Sequence, residues 1–208
     1  PAHGRSEGPP LTSIAAFCDW VRAVMDAAGV ETAALVGHSM GAVIALETAA
    51  ATPGRVTRLA LLGVSSAMGV HPKLLSAAKE TPEAAYDMMT GWCFANAAKI
   101  GGNAAPGLWM TGGARALLGA GREHALAADL AACNAWTSGP QSAAKIAVPT
   151  LFVLGREDVM TPARKGQELA QHIADARVVS VPACGHMMMQ EAPDQTLDFV
   201  GATPRSAL

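Results

Sequence analysis

Apolar residues recur along this chain at two different spacings. Between Thr12 and Gly29 they fall at Ile14, Phe17, Val21 and Met25, the repeat of a helix that buries one face. Thr12 or Ser13 stands where a cap is needed, and Gly29 stands where the helix should stop. Thr32 to Gly37 (TAALVG) is nearly all apolar, the pattern of a short parallel strand covered on both faces. A helix is predicted over Met40 to Ala51, ended by Pro53-Gly54, and a second strand over Val56 to Gly63. Strand patterns return at Val148 to Gly155 and at Ala176 to Pro182. A helix from Pro162 to Ala174 separates them, and a last helix follows near Pro193 to Val200.

The stretch from Ser65 to Lys145 differs. It is rich in Ala, Gly and Met, is broken often by Gly and Pro, holds three of the four tryptophans and shows no strong strand pattern. It is read as a helical insertion at 65–145, between a first core segment at 1–64 and a second at 146–208. Outside the insertion, helices and strands alternate. That order predicts an α/β fold with a parallel sheet of about four strands joined by right-handed crossovers.

Composition narrows the partners. Half of the 208 residues are apolar, 15% are charged, and the net charge is -2. Nothing there attracts nucleic acid or an acidic membrane surface. No apolar run is long enough to span a bilayer. Cys18, Cys93, Cys133 and Cys184 are scattered, without CxxC or metal-ligand spacing, and read as small buried hydrophobes in a reducing compartment. No signal peptide is visible. The expectation is a cytoplasmic protein with a small-molecule substrate.

The chemistry centres on Gly37-His38-Ser39-Met40-Gly41, a G-x-S-x-G pentapeptide between a predicted strand and a predicted helix. A serine at so sharp a turn is strained, and small residues two places before and two places after it avoid collision. Gly37 and Gly41 meet that need. The turn lifts the hydroxyl clear of the sheet and aims the start of the helix at the same point, so the Met40 N–H can stabilise an oxyanion. A serine nucleophile needs a base, and the base needs an orienting acid. Both should lie at the C-terminal ends of other parallel strands. The strand ending at Gly155 is followed by Glu157 and Asp158, and the strand ending at Pro182 by His186. The order is therefore serine, acid, histidine.

"HGRSEGP", "LVGHSMGA", "VPTLFVLGREDVMTP" and "GHMMMQEAPDQ" together resemble the α/β-hydrolase superfamily, in its esterase-like, cap-bearing branch. The resemblance covers most of the chain except the insertion. It implies Ser39 as nucleophile, His186 as general base and Asp158 as the orienting acid. Asp158 is preferred to Glu157 because the family's acid falls at the fourth position of a G-x-x-D turn. His38 then occupies the variable site before the nucleophile and packs beside the elbow. His3 belongs to the loop resembling the family's "GHGRS" segment. His71, His124 and His172 have no motif context, so neither metal nor cofactor is expected.

The family has further strands ahead of the "HGRS" loop, with an "HG"-type turn that donates the second oxyanion N–H. No such turn occurs in these residues. The expectation is a fragment of a longer protein, with Thr32 to Gly37 an open apolar edge. Such a chain should be poorly soluble or nearly inactive, since one lost donor costs about 10²–10³ in kcat.

The insertion should set specificity. Met88, Met89, Trp92, Phe94, Trp109, Met110 and Trp136 either line an apolar acyl pocket or form the insertion's own core, the latter reading fitting most of them. His38, Trp92, Trp109 and Met187 are the candidate substrate contacts. A serine nucleophile argues against dehalogenases and epoxide hydrolases. Hydrolysis of a small to medium, largely apolar carboxylic ester, lactone or thioester is the leading expectation. C–C bond hydrolysis, enol-lactone hydrolysis and cofactor-free perhydrolysis share the scaffold, and some relatives use the pocket only to bind a ligand.

Overall fold

The computed structural model describes residues 1–102, 107–122 and 124–202. In chain order the elements are α1 (Ile14–Ala27), β1 (Ala33–His38), α2 (Met40–Ala51) and β2 (Val56–Leu62). Next come α3 (Pro72–Glu80), α4 (Pro82–Cys93), α5 (Asn96–Lys99), α6 (Met110–Gly119), α7 (Ala125–Ala135) and α8 (Gly139–Ala143). The chain then returns to β3 (Thr150–Gly155), α9 (Ala163–Ala170), β4 (Ala176–Val181), α10 (Met188–Glu191) and α11 (Pro193–Gly201).

The four strands form one parallel sheet in the order β1-β2-β3-β4, with Leu59 opposite Leu35 and Thr150. Alternation along the strands sorts the core into two layers. Leu59, Leu61, Phe152 and Leu154 point to one face, where α1, α2 and α9 cover them. Ala60, Leu62, Leu151 and Val153 point to the other, where Phe199 and Val200 of α11 pack. Each fully buried Leu or Phe side chain stabilises the fold by about 1.5–3 kcal/mol relative to leaving it in water.

The strands and flanking helices lie where their patterns predicted, with small differences at the ends. Ser13 caps α1, its hydroxyl accepting the Ala16 N–H at 3.2 Å. The helix expected from Pro162 to Ala174 is shorter, and a one-turn helix, α10, was not expected. The reading of β1 as covered on both faces is corrected. Leu35 packs inward, but Ala34 and Val36 face the side that α11 leaves open, and Val36 is 59% exposed. β1 has no neighbour on its outer side among the described residues, so it is an exposed edge, as anticipated.

Candidate active site

Ser39 joins β1 to α2 with φ 55° and ψ -119°, a backbone region that costs a non-glycine residue about 1–3 kcal/mol. The turn is held from both sides. The Ser39 N–H donates to the Leu62 carbonyl on β2 at 2.9 Å, and its own carbonyl accepts from Ala42 and Val43 at 3.0 and 3.3 Å. A Cβ at Gly37 would lie 2.1 Å from the Gly41 carbonyl oxygen, whereas a Cβ at Gly41 would meet nothing within 4 Å. The expectation that both positions must be small is thus corrected. The crowding is between the side-chain position of 37 and the backbone of 41, so only Gly37 is sterically required. Met40 opens α2, and its N–H is one of the donors that a helix start leaves without an intrahelical partner.

Asp158 and His186 meet across the C-terminal ends of β3 and β4. His186 Nδ1 lies 2.8 Å from Asp158 Oδ2, and both side chains are almost completely buried. Asp158 Oδ1 accepts the N–H groups of Met160 and Thr161, each at 2.8 Å, and Oδ2 accepts the Thr161 hydroxyl at 2.7 Å. Burial is the strongest single influence on this carboxyl and pushes its pKa up. The bond to His186, its charge, and the Thr161 donors outweigh burial, so Asp158 stays below the usual carboxylate range. Asp158 in turn orients the imidazole with Nδ1 inward.

Ser39, His186, Met40 and Thr161 all line one cavity of about 540 Å³ between the sheet and the insertion. Among the described residues no hydrogen bond joins the Ser39 hydroxyl to the imidazole. Such contacts are often long without substrate and tighten when it binds.

The profile of the alpha/beta hydrolase family matches residues 1–199. The chain belongs to this family. It is similar to a protein named as a carbamate hydrolase, RutD, from Azorhizobium caulinodans, 30% identical over 203 residues that span 92% of this chain and 72% of that one. It is also similar to the 2-hydroxy-6-oxo-6-phenylhexa-2,4-dienoate hydrolase of Burkholderia cepacia, 30% identical over 198 residues, 86% of this chain and 66% of that one. Among solved structures, the enol-lactonase from Burkholderia xenovorans LB400 superposes with a TM-score of 0.83 at 25% identity, covering 96% of this chain and 78% of that one.

In this alpha/beta hydrolase several residues that the sequence did not single out hold the histidine loop. Gly63, just after β2, has φ +55°, and a Cβ there would stand 3.0 Å from His186 Nδ1, so glycine makes room for the acid–imidazole pair. The Cys93 carbonyl at the end of α4 accepts the N–H of His186 at 2.8 Å and of Met187 at 3.2 Å. The Glu191 carboxylate accepts the N–H groups of Gly185 (3.1 Å), Met187 (3.2 Å) and Ala95 (2.8 Å). Glu191 therefore ties the loop carrying His186 to the insertion. The only sequence signal for it was its place in "GHMMMQEAPDQ".

His38 packs against His186, ring centroids 4.6 Å apart, and its Nε2–H donates to the His186 carbonyl at 2.8 Å. Burial, then the neighbouring His186, lowers its pKa to about 4. It is neutral near pH 7 and positions the loop. Burial pushes the thiols of Cys93 and Cys133 up to about 12, so neither is a thiolate near neutrality. All four cysteines are free and buried.

Of the expected substrate contacts, His38, Trp92 and Met187 line the cavity. Trp109 does not. It is 72% exposed and lies over Gly112 at the start of α6. Met89 also lines the cavity, whereas Phe94 and Met110 pack in a small core and Met88 in another. Trp136 belongs to the main core, its indole N–H bonded to Glu47. Among the described residues no cluster of His, Cys, Asp and Glu is placed to hold a metal, and no helix is long and apolar enough to cross a membrane.

Proposed function

We propose that this chain is a serine hydrolase that cleaves a small to medium, largely apolar carboxylic ester, lactone or thioester through an acyl-enzyme, with Ser39, His186 and Asp158 as its triad. The observation that carries the reading is the strained Ser39 turn opening into the same cavity as the buried Asp158–His186 pair. In the first half-reaction Ser39 Oγ attacks the carbonyl carbon while His186 Nε2 takes the hydroxyl proton. The Met40 N–H stabilises the oxyanion. Collapse of the intermediate expels the alcohol or thiol, which receives the proton from His186. Water then attacks the acyl-enzyme with His186 as base, and the acid leaves. Asp158 holds the imidazole and stabilises its cationic form throughout. The helices of 65–145 act as the cap that supplies the apolar wall of the cavity.

A second reading is hydrolysis of a C–C bond or an enol-lactone by the same residues. It is supported by the names of the Burkholderia relatives. A panel of p-nitrophenyl esters of varied acyl length, run beside enol-lactones and vinylogous 1,5-diketones, separates the two. Turnover of saturated esters that is lost in Ser39→Ala supports the first reading. Turnover confined to the enol-lactone or diketone supports the second. Ligand binding without turnover or covalent labelling of Ser39 would make the chain a binding protein.

A further inference from the structure

The loop that carries Asp158 folds its own next residues back onto the carboxylate. Oδ1 accepts the N–H groups two and three residues on, those of Met160 and Thr161, a turn that an aspartate side chain makes with its own backbone. Thr161 then adds a bond of another kind. Its hydroxyl donates to Oδ2 at 2.7 Å, the oxygen that also faces His186 Nδ1 at 2.8 Å. The hydroxyl oxygen itself stands 3.2 Å from Nδ1. Asp158, Thr161 and His186 are all buried. These four donors fill the roughly four acceptor positions of an ionised carboxylate. A hydroxyl has one hydrogen. With that hydrogen on Oδ2, what Thr161 presents to Nδ1 is oxygen. Its positive end meets the carboxylate and its negative end meets the ring N–H, so both ends favour the same state, an ionised Asp158 beside a protonated His186. Branching at Cβ leaves Thr161 few χ1 choices and helps to keep the hydroxyl there.

We infer that Thr161 is a positioning residue whose hydroxyl, set between Asp158 Oδ2 and His186 Nδ1, stabilises the imidazolium–carboxylate pair and fixes the oxygen toward which the imidazole turns. Its importance for turnover rests on the proposed function, because the imidazolium is the state formed when His186 holds the Ser39 proton. The other titratable groups around the pair do not supply this. His38, from the end of β1, stacks on the His186 ring and is neutral near pH 7. Burial above all pushes the thiols of Cys93 and Cys184 up to about 12. Glu191 of α10 accepts backbone N–H groups of Gly185 and Met187, and Glu157 is exposed. None of these side chains bonds both members of the pair, as Thr161 does.

The test is an NMR titration of the His186 ring in the parent chain, in Thr161→Val and in Thr161→Ser, its Cε1–H resonance assigned by its loss in His186→Gln. Valine keeps the branched shape and the backbone N–H that Asp158 Oδ1 accepts, but has no hydroxyl. The expected result is a ring that holds its proton about three- to tenfold more weakly in Thr161→Val, with the titration midpoint moved to lower pH. Thr161→Ser retains the hydroxyl and should bring proton affinity back to within about twofold of the parent. A midpoint unchanged or raised in Thr161→Val would overturn the inference. So would one lowered equally in Thr161→Ser, because disturbed packing rather than the hydroxyl would then be the cause. Should Thr161→Val lose its melting transition, Thr161→Ala takes its place with the same expectation. On a p-nitrophenyl ester, Thr161→Val should lower kcat by a similar factor with KM little changed, and a rise in KM alone would count against the role. The titration needs no turnover. A parent chain that neither hydrolyses esters nor labels at Ser39 would end the triad reading, while the ring's midpoint would still decide what Thr161 does to the pair.

Discussion

The sheet with its loops and the helical insertion are built on different principles. In the sheet region, backbone geometry does the positioning. Three strand ends deliver Ser39, Asp158 and His186, a fourth delivers Gly63, and alternating side chains bury both faces of β2 and β3. The insertion carries one small apolar cluster of its own and a second that Met160 and Met187 pack against, sends Ala132, Cys133 and Trp136 into the main core, and is held further by a few polar fastenings. Glu47 on α2 accepts from Trp136, Ser138 and Ser142, with oxygen–donor distances of 2.5, 2.6 and 2.7 Å. Glu191 and the Cys93 carbonyl fasten the other end to the histidine loop. Under the proposed function the difference means that chemistry and selectivity have separate supports, and the seam between the two regions runs through the loop that carries His186.

If that division is right, substitutions in the sheet region should abolish turnover without altering selectivity. Ser39→Ala and Asp158→Asn should each lower kcat on a p-nitrophenyl ester by about 10⁴-fold or more, with little change in KM. A kcat within tenfold of the parent would break the division at its strongest point.

Seam substitutions should give intermediate losses. Glu191→Leu leaves the N–H groups of Gly185, Met187 and Ala95 without their shared acceptor. The loop should shift, and kcat should fall by about 10–100-fold. Glu191→Gln, which keeps an acceptor oxygen, should recover much of the loss, as steady-state kinetics on both variants would reveal.

Changes in the insertion should act on selectivity alone. Trp92→Ala enlarges the cavity wall, so kcat/KM should rise or fall by about tenfold for long acyl chains and change far less for acetate. Trp109→Ala, at a residue outside the cavity, should leave the chain-length profile unchanged.

The smallest effect concerns pH. The His38 pKa is about 4 in the folded protein against 6.5 for the free side chain. As pH falls from 6.5 toward 4 the unfolded chain takes up a proton that the folded chain refuses, so stability declines across that window and levels off below it. The loss by pH 5 is about 1–2 kcal/mol after allowance for partial exposure, or on the order of 5 °C in Tm. His38→Gln retains a donor for the His186 carbonyl and removes the titration, so its melting curve should depend less on pH over that range.

Much of the sheet region was legible in the sequence because local pattern and local chemistry agree there. An apolar run followed by G-x-S-x-G has few solutions, and strand order brings His186 and either Glu157 or Asp158 to the same end of the sheet, the family resemblance choosing Asp158. What could not be read depends on contacts between distant segments. Glu191 looks like an ordinary helix carboxylate until Ala95 is folded against it. Gly63 looks like a strand terminator until the imidazole arrives 3.0 Å from where its Cβ would be. Trp92 and Trp109 both lie in the same Ala-, Gly- and Met-rich insertion, and only packing decides that the first lines the cavity and the second faces water. The same holds for β1, whose apolar run carries no mark that α11 leaves one face open.

The most direct measurement is the site and rate of labelling by a fluorophosphonate, mapped by peptide mass spectrometry in the parent chain and in His186→Gln. A single adduct on Ser39, formed at least about 100-fold more slowly when the imidazole is removed, is the expected result. An adduct on another residue, or Ser39 labelling at an undiminished rate in His186→Gln, would contradict the proposal that Ser39 and His186 act as one unit.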